Sequence, residues 1–141
     1  MLKNIFIAVD GSDYSNKALT YAQDMARTYG AVLWLVHVFS HPAAMDMLGY
    51  EDFEKIYAKR KCAGQAVIDA ALQRLDASDL DIRQELCEGP EAESILTCAQ
   101  NRNADIIVMG TRGMGTLKGL LLGSVSSKVI HHATCPVMVV H

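Results

Sequence analysis

The sequence lacks what a membrane or nucleic-acid partner would require. None of its apolar runs reaches the ~18 residues that a bilayer-spanning helix needs. The opening stretch MLKNIFIAVDGS has a single lysine and a short apolar run that stops at Asp10. It has neither the length nor the small-residue cleavage site of a secretory signal, so it reads as a first strand in a cytoplasmic protein. Basic charge is scarce as well: 13 Lys and Arg stand against 16 Asp and Glu, a formal net charge of -3. The densest basic run, Lys59 to Lys61, falls in an expected helix with acidic residues upstream and reads as a solvated face. No basic surface for nucleic acid or anionic lipid is expected. The four cysteines, Cys62, Cys87, Cys98 and Cys135, are widely spaced and form no CxxC pair, so neither a zinc site nor a redox motif is suggested. They read as reduced thiols that serve as small apolar fillers.

Linkers and low-complexity segments are also missing, and 141 residues fit one domain, 1–141. Half of the residues are hydrophobic, enough for a real core. They are organised as apolar runs alternating with helical patterns. Ile5–Val9 and Ala31–Phe39 are continuous apolar runs of the kind buried on both faces of a sheet. Between them Ala18, Ala22, Met25, Ala26 and Tyr29 follow helical spacing, after a cap at Ser12 or Asp13 and before Gly30. A long helix is expected from about Glu51 to Asp76, with its stripe at Val67, Ile68, Ala71, Leu72 and Leu75. Asp81–Cys87 alternates as a half-exposed strand, and Pro90 suits the first turn of a helix whose Ile95, Leu96 and Ala99 face inward. Asp105–Met109 is a fourth strand, Ser124–His132 a last helix and Pro136–Val140 a fifth strand. Five strands separated by four helices imply right-handed crossovers and a parallel sheet covered on both faces, a Rossmann-like α/β architecture. Ligands of such sheets bind beyond the carboxyl ends of the strands, where strand order reverses.

Glycine is concentrated in one place. Five of the 18 residues from Gly110 to Ser127, GTRGMGTLKGLLLGSVSS, are glycine. Glycine lets backbone N–H groups approach a ligand closely. This stretch ends at Gly123-Ser124, where a helix begins, and a helix amino end offers unpaired N–H groups and partial positive charge. A strand, a glycine loop and a serine-led helix together make a sensible phosphate cradle. The alternative is a loop that needs glycine only to turn. A Walker loop is excluded because Lys118 is followed by Gly119, a dinucleotide fingerprint does not fit the spacing, and GxSxG is absent.

The spacing that fits is Gly110-x2-Gly113-x9-Gly123-Ser124. With IFIAVDGSDYS, LVHVF, IIVMGTRG and LLGSVSSKVIHHATCPVMVV it resembles the universal stress protein family, in its ATP-binding branch, over the whole chain. The resemblance implies a five-stranded parallel sheet in the order 3-2-1-4-5. It implies that Asp10 contacts the ribose or a phosphate-bound metal and that Val38 meets the adenine through its backbone. Met109, Gly110 and Gly113 would line the ribose and phosphates. Gly123, Ser124, Val125 and Ser126 would hold the phosphates through N–H groups and hydroxyls. The implied ligand is ATP, or ADP or AMP, accompanied by Mg²⁺ or Mn²⁺, in a stress-response switch with a protein partner that the sequence does not name. A homodimer through the apolar strand 136–140 is implied too. Two departures stand out: Ala8-Val9 precede Asp10 where members often carry proline or threonine, and Gly115 and Gly119 add glycines to the spacer.

Other residues have two readings each. Arg112 and Lys118 reach the phosphates or are simply solvated; Met45 and Met47 cover the ligand or pack a loop. His131 and His132 complement a negative helix end, and His37 and His41 are structural. No protein metal ligands or catalytic residues are assigned, because no general base is evident and any ATP hydrolysis would be slow. Two rival functions are a nucleotide-free dimeric interaction module and an adenylate-forming enzyme. The Asp10–Ser15 segment faintly resembles the glycine-serine loop of such enzymes without its paired glycines.

Overall fold

A computed structural model describes residues 1–40, 49–111 and 122–141. Its elements alternate as the apolar runs imply: β1 (Asn4–Ala8), α1 (Asp13–Tyr29), β2 (Val32–Phe39), α2 (Tyr50–Arg74), β3 (Ile82–Glu88), α3 (Glu91–Asn101), β4 (Ile106–Gly110), α4 (Ser124–His132) and β5 (Val137–Val140). All pairings are parallel, and the sheet order is β3-β2-β1-β4-β5.

Side-chain alternation divides each central strand between two cores. Ile5, Ile7, Leu33, Leu35 and Val108 join one core beneath α1 and α2, against Ala18, Leu19, Ala22, Ala26, Ile68 and Ala71. Phe6, Trp34, Val36, Val38, Ile107 and Met109 join the other, beneath α3 and α4, against Ala92, Ile95, Cys98, Ala99 and Val129. That double burial is why these strands read as unbroken apolar runs. β3 lies at an edge and is half-exposed as expected, but it does not alternate: Arg83, Gln84 and Glu88 are exposed while Glu85, Leu86 and Cys87 are half-buried in a row. β5 forms the other edge, with Val137, Met138 and Val139 half-buried.

Differences from the sequence reading are local. Pro90 is the N-cap of α3 and not a residue of its first turn, since its φ of -60° and ψ of 134° suit the extended residue just before the helix. Tyr29 follows the apolar spacing of α1 yet is 48% exposed, because Gly30 ends the helix and turns the chain back towards β2. Cys62 is exposed on α2, so it fills no core.

The sheet order has one consequence for the site. β1 has β2 on one side and β4 on the other, and the connections to the two run to opposite sides. Strand order therefore reverses between β1 and β4, and their carboxyl ends flank the crevice where doubly wound sheets take ligands.

Candidate functional site

The carboxyl end of β1 is held tightly. The Val9 N–H donates to the Val36 carbonyl at 2.8 Å, a bond that proline at this position would forfeit. The His37 Nδ1–H donates to the Val9 carbonyl at 2.6 Å, which accounts for this histidine structurally. Asp10 follows, half-buried. Its N–H donates to Ser15 Oγ at 3.1 Å, and its Oδ1 accepts the Ser12 N–H at 2.9 Å. Gly11 turns the chain with a φ of 82°, a conformation costly for residues with a Cβ. Ser12 then caps α1, accepting the Ser15 N–H on its Oγ at 3.1 Å. Among the described residues no hydrogen bond reaches Asp10 Oδ2, so the carboxylate is fixed by one oxygen.

Val38 and Met109 are buried in the same core beneath α3 and α4, and Val125 packs against it from the first turn of α4. The fold thus gathers Val38, expected at the adenine, Met109, expected at the ribose, and Val125, expected at the phosphates, into one apolar group. Gly110 ends β4 against α1. A Cβ here would lie 2.7 Å from Tyr14 Cβ and 2.9 Å from the Tyr14 carbonyl carbon. This glycine therefore has a packing reason for its identity, whatever it also lines. Gly113, Arg112, Lys118, His41, Met45 and Met47 lie outside the described residues.

Thr111, which the motif did not single out, joins the site together. Its N–H donates to the Val140 carbonyl at 2.9 Å. Its carbonyl accepts the Gly123 N–H at 2.6 Å and the Ser126 hydroxyl at 2.7 Å. One residue thus anchors the amino end of α4 to the end of β4 and to β5. Ser126 also donates to the Gly123 carbonyl at 3.2 Å. Its hydroxyl proton is consequently committed within the protein, which differs from a hydroxyl aimed at phosphate; its backbone N–H is what it offers an anion. Thr111 Oγ1 is buried and has no hydrogen-bond partner among the described residues. An orphaned buried hydroxyl costs about 1–3 kcal/mol.

The electrostatics single out α4. The first turns of α1, α2 and α3 carry Asp13, Glu51 with Asp52, and Glu91 with Glu93, while α4 has no acidic residue in its first turn. Its N-cap is Gly123, extended at φ -79° and ψ 173°, with no side-chain capping bond. The positive end of this helix is met by no acidic side chain of its own first turn. A pocket of about 240 Å³ opens between the amino ends of α3 and α4, lined by Pro90, Glu91, Glu93, Ser124, Val125 and Lys128. Lys128 lies 3.6 Å from Glu93. Two carboxylates, Glu91 and Glu93, thus stand on the α3 side of the pocket.

His131 and His132 occupy the last turn of α4, their rings edge to face at 4.8 Å between centroids, where a cation complements the helix end. Sequence spacing did not foresee one cluster. Glu85, Cys87 and Cys98 bring their ligand atoms within 4.8 Å of one another, with the two sulfurs 3.0 Å apart.

Comparisons with known proteins agree with this architecture. The profile of the Universal stress protein family matches residues 1–141. A universal stress protein of Thermus aquaticus is 39% identical over 145 residues, covering 99% of each chain. A universal stress protein solved in complex with cAMP superposes with a TM-score of 0.74 at 26% identity, over 99% of this chain and 97% of that one. The universal stress protein of Archaeoglobus fulgidus in complex with dAMP superposes with a TM-score of 0.67 at 26% identity, over 100% of this chain and 98% of that one.

Proposed function

The chain belongs to the universal stress protein family, and from that premise we propose that it binds an adenine nucleotide, ATP with a divalent cation, beyond the carboxyl ends of β1, β2 and β4. The observation that carries the proposal is the amino end of α4. It has a glycine N-cap with no side-chain cap, no acidic residue in its first turn, and a 2.6 Å bond from Gly123 to Thr111 at the end of β4. Two structural neighbours are complexes with cAMP and with dAMP, which supports an adenine nucleotide as the ligand class.

In this reading the N–H groups of Ser124, Val125 and Ser126, with the exposed hydroxyl of Ser124, receive the phosphates. Val38 meets the base through its backbone and Met109 lies along the ribose, both from the buried core beneath α3 and α4, and Gly110 ends β4 beside them. Asp10, fixed through Oδ1, offers Oδ2 to the ribose or to a water on Mg²⁺ or Mn²⁺, which would balance the triphosphate charge. No described residue is placed as a general base, and the ligand acts as a regulator: its occupancy biases the conformation around α4 and β5, the edge through which two copies pair. β5 suits that role, being apolar, half-buried and at the sheet edge.

Titration calorimetry with ATP, AMP and cAMP, each with and without Mg²⁺, tests the proposal. Saturable binding of one nucleotide per chain supports it. Absence of binding by all three leaves the nucleotide-free interaction module as the better account.

A further inference from the structure

Cys87 and Cys98 stand on different elements, strand β3 and helix α3, and the tight turn between them brings their sulfurs to 3.0 Å. A disulfide holds its sulfurs at about 2.05 Å, so the pair lies about 1 Å short of bonding, within reach of small side-chain rotations. The two thiols differ in surroundings. Cys87 is half-buried on the edge strand and Cys98 is 5% exposed on the core-facing side of α3. Beside them the Arg102 guanidinium pairs with Glu85 at 2.8 Å and lies 4.9 Å from the Trp34 ring centre. That ion pair occupies the carboxylate that would otherwise complete a metal site, and it sets a fixed cation next to the sulfurs.

We infer that Cys87 and Cys98 form a reversible oxidation site, at which a peroxide converts the dithiol into an intramolecular disulfide that staples β3 to α3. The Cys87 thiolate attacks one peroxide oxygen. A sulfur–oxygen bond forms, the oxygen–oxygen bond breaks, and the departing hydroxide leaves as water, giving a sulfenic acid. The Cys98 sulfur then attacks the Cys87 sulfur. The sulfur–sulfur bond forms, the sulfur–oxygen bond breaks, and the hydroxyl leaves as water with the Cys98 proton. Two thiols lose two electrons and hydrogen peroxide becomes two waters. The direction of attack follows from exposure, since Cys87 is half-buried and open to peroxide while Cys98 is buried, and the electrostatics run the same way. The hydrogen bond from Cys98 lowers the pKa of Cys87 against the opposing effects of burial and Glu85, and Arg102 assists. The same hydrogen bond and burial push the Cys98 thiol up, as suits a protonated resolving partner.

The test uses the full chain, reduced, freed of reductant and exposed to a slight excess of hydrogen peroxide. The expected result is a loss of about 2 Da, a cross-linked peptide pair containing Cys87 and Cys98, and restoration by dithiothreitol. The exposed Cys62 is the internal control and stays open to alkylation while the pair closes. Cys98→Ser is expected to stall the reaction at a Cys87 sulfenic acid that dimedone captures. The inference is overturned if Cys62 is oxidised first while Cys87 and Cys98 stay reduced in the wild-type chain. It is equally overturned if one equivalent of Zn²⁺ binds the untreated protein and shields both thiols from alkylation, which would make the cluster with Glu85 a metal site.

Discussion

The hydroxyl of Ser126 donates to the carbonyl oxygen of Thr111 at 2.7 Å, and the Gly123 N–H reaches the same oxygen at 2.6 Å. The joint between β4 and α4 is thus built from hydrogen bonds within the chain, and in the proposed function the phosphates are left to the backbone of the first helical turn. Two substitutions separate these roles. Ser126→Ala is expected to lower stability by about 1 kcal/mol through loss of a buried hydrogen bond, with nucleotide affinity falling only modestly. Gly123→Val is expected to abolish nucleotide binding by blocking approach to the N–H groups, while the change at the N-cap costs about 1 kcal/mol of stability. Calorimetry for binding and urea denaturation for stability check both. Unchanged affinity in Gly123→Val would remove the cradle from the account.

Gly110 tests packing and not ligand contact. A Cβ there would sit 2.7 Å from Tyr14 Cβ and 3.0 Å from the Ser15 N atom, and backbone cannot move aside as a flexible side chain does. Gly110→Ala is therefore expected to destabilise by about 1–3 kcal/mol, seen as a lower urea midpoint at unchanged slope. A midpoint equal to wild type would mean that α1 shifts freely from β4.

Asp10 separates two ways of reading a nucleotide. If its Oδ2 serves the metal, Asp10→Ala weakens ATP binding chiefly in the presence of Mg²⁺. Equal weakening with and without Mg²⁺ would assign Asp10 to the ribose. Either titration is read against the stability of the variant, since Oδ1 also accepts the Ser12 N–H at the start of α1.

Asp105 gives the fold a pH dependence. Its Oδ2 accepts the Lys3 N–H at 2.7 Å and the Asn4 N–H at 2.8 Å, tying the start of β4 to the start of β1. These bonds, that of Asn4 first, hold its carboxyl below the usual range. A folded-state pKa below the unfolded one contributes stability above about pH 4, which is lost as pH falls through the folded value. Asp105→Asn is expected to cost about 1 kcal/mol at neutral pH and progressively less in acid. Thermal denaturation of both proteins from pH 7 down to pH 3 checks this; a difference that grows in acid would contradict it.

The fold was legible because a parallel sheet buried on both faces leaves unmistakable apolar runs. Ile5–Val9 and Ala31–Phe39 announce themselves, and Gly30 and Ser12 mark the ends of α1. The sheet order, and the expectation of a nucleotide site, came from the family resemblance that the spacing of Gly110, Gly113, Gly123 and Ser124 carries. What stayed hidden depends on contacts between distant elements. Thr111 looks like any polar residue after a strand, and only the fold shows three elements meeting at its backbone. Cys87 and Cys98 are neither a CxxC pair nor neighbours on a helix face, and the β3–α3 turn alone brings their sulfurs together. Tyr29 satisfied the helical period but stands at the last residue of α1, where the period no longer decides burial.

Native mass spectrometry of the freshly purified protein, without added nucleotide and then with ATP, AMP and cAMP, addresses the central claim most directly. The account predicts a mass increment of one adenine nucleotide per chain, retained from the host or acquired on addition, and absent in Gly123→Val. A wild-type protein that is isolated empty and stays empty with all three nucleotides would contradict it.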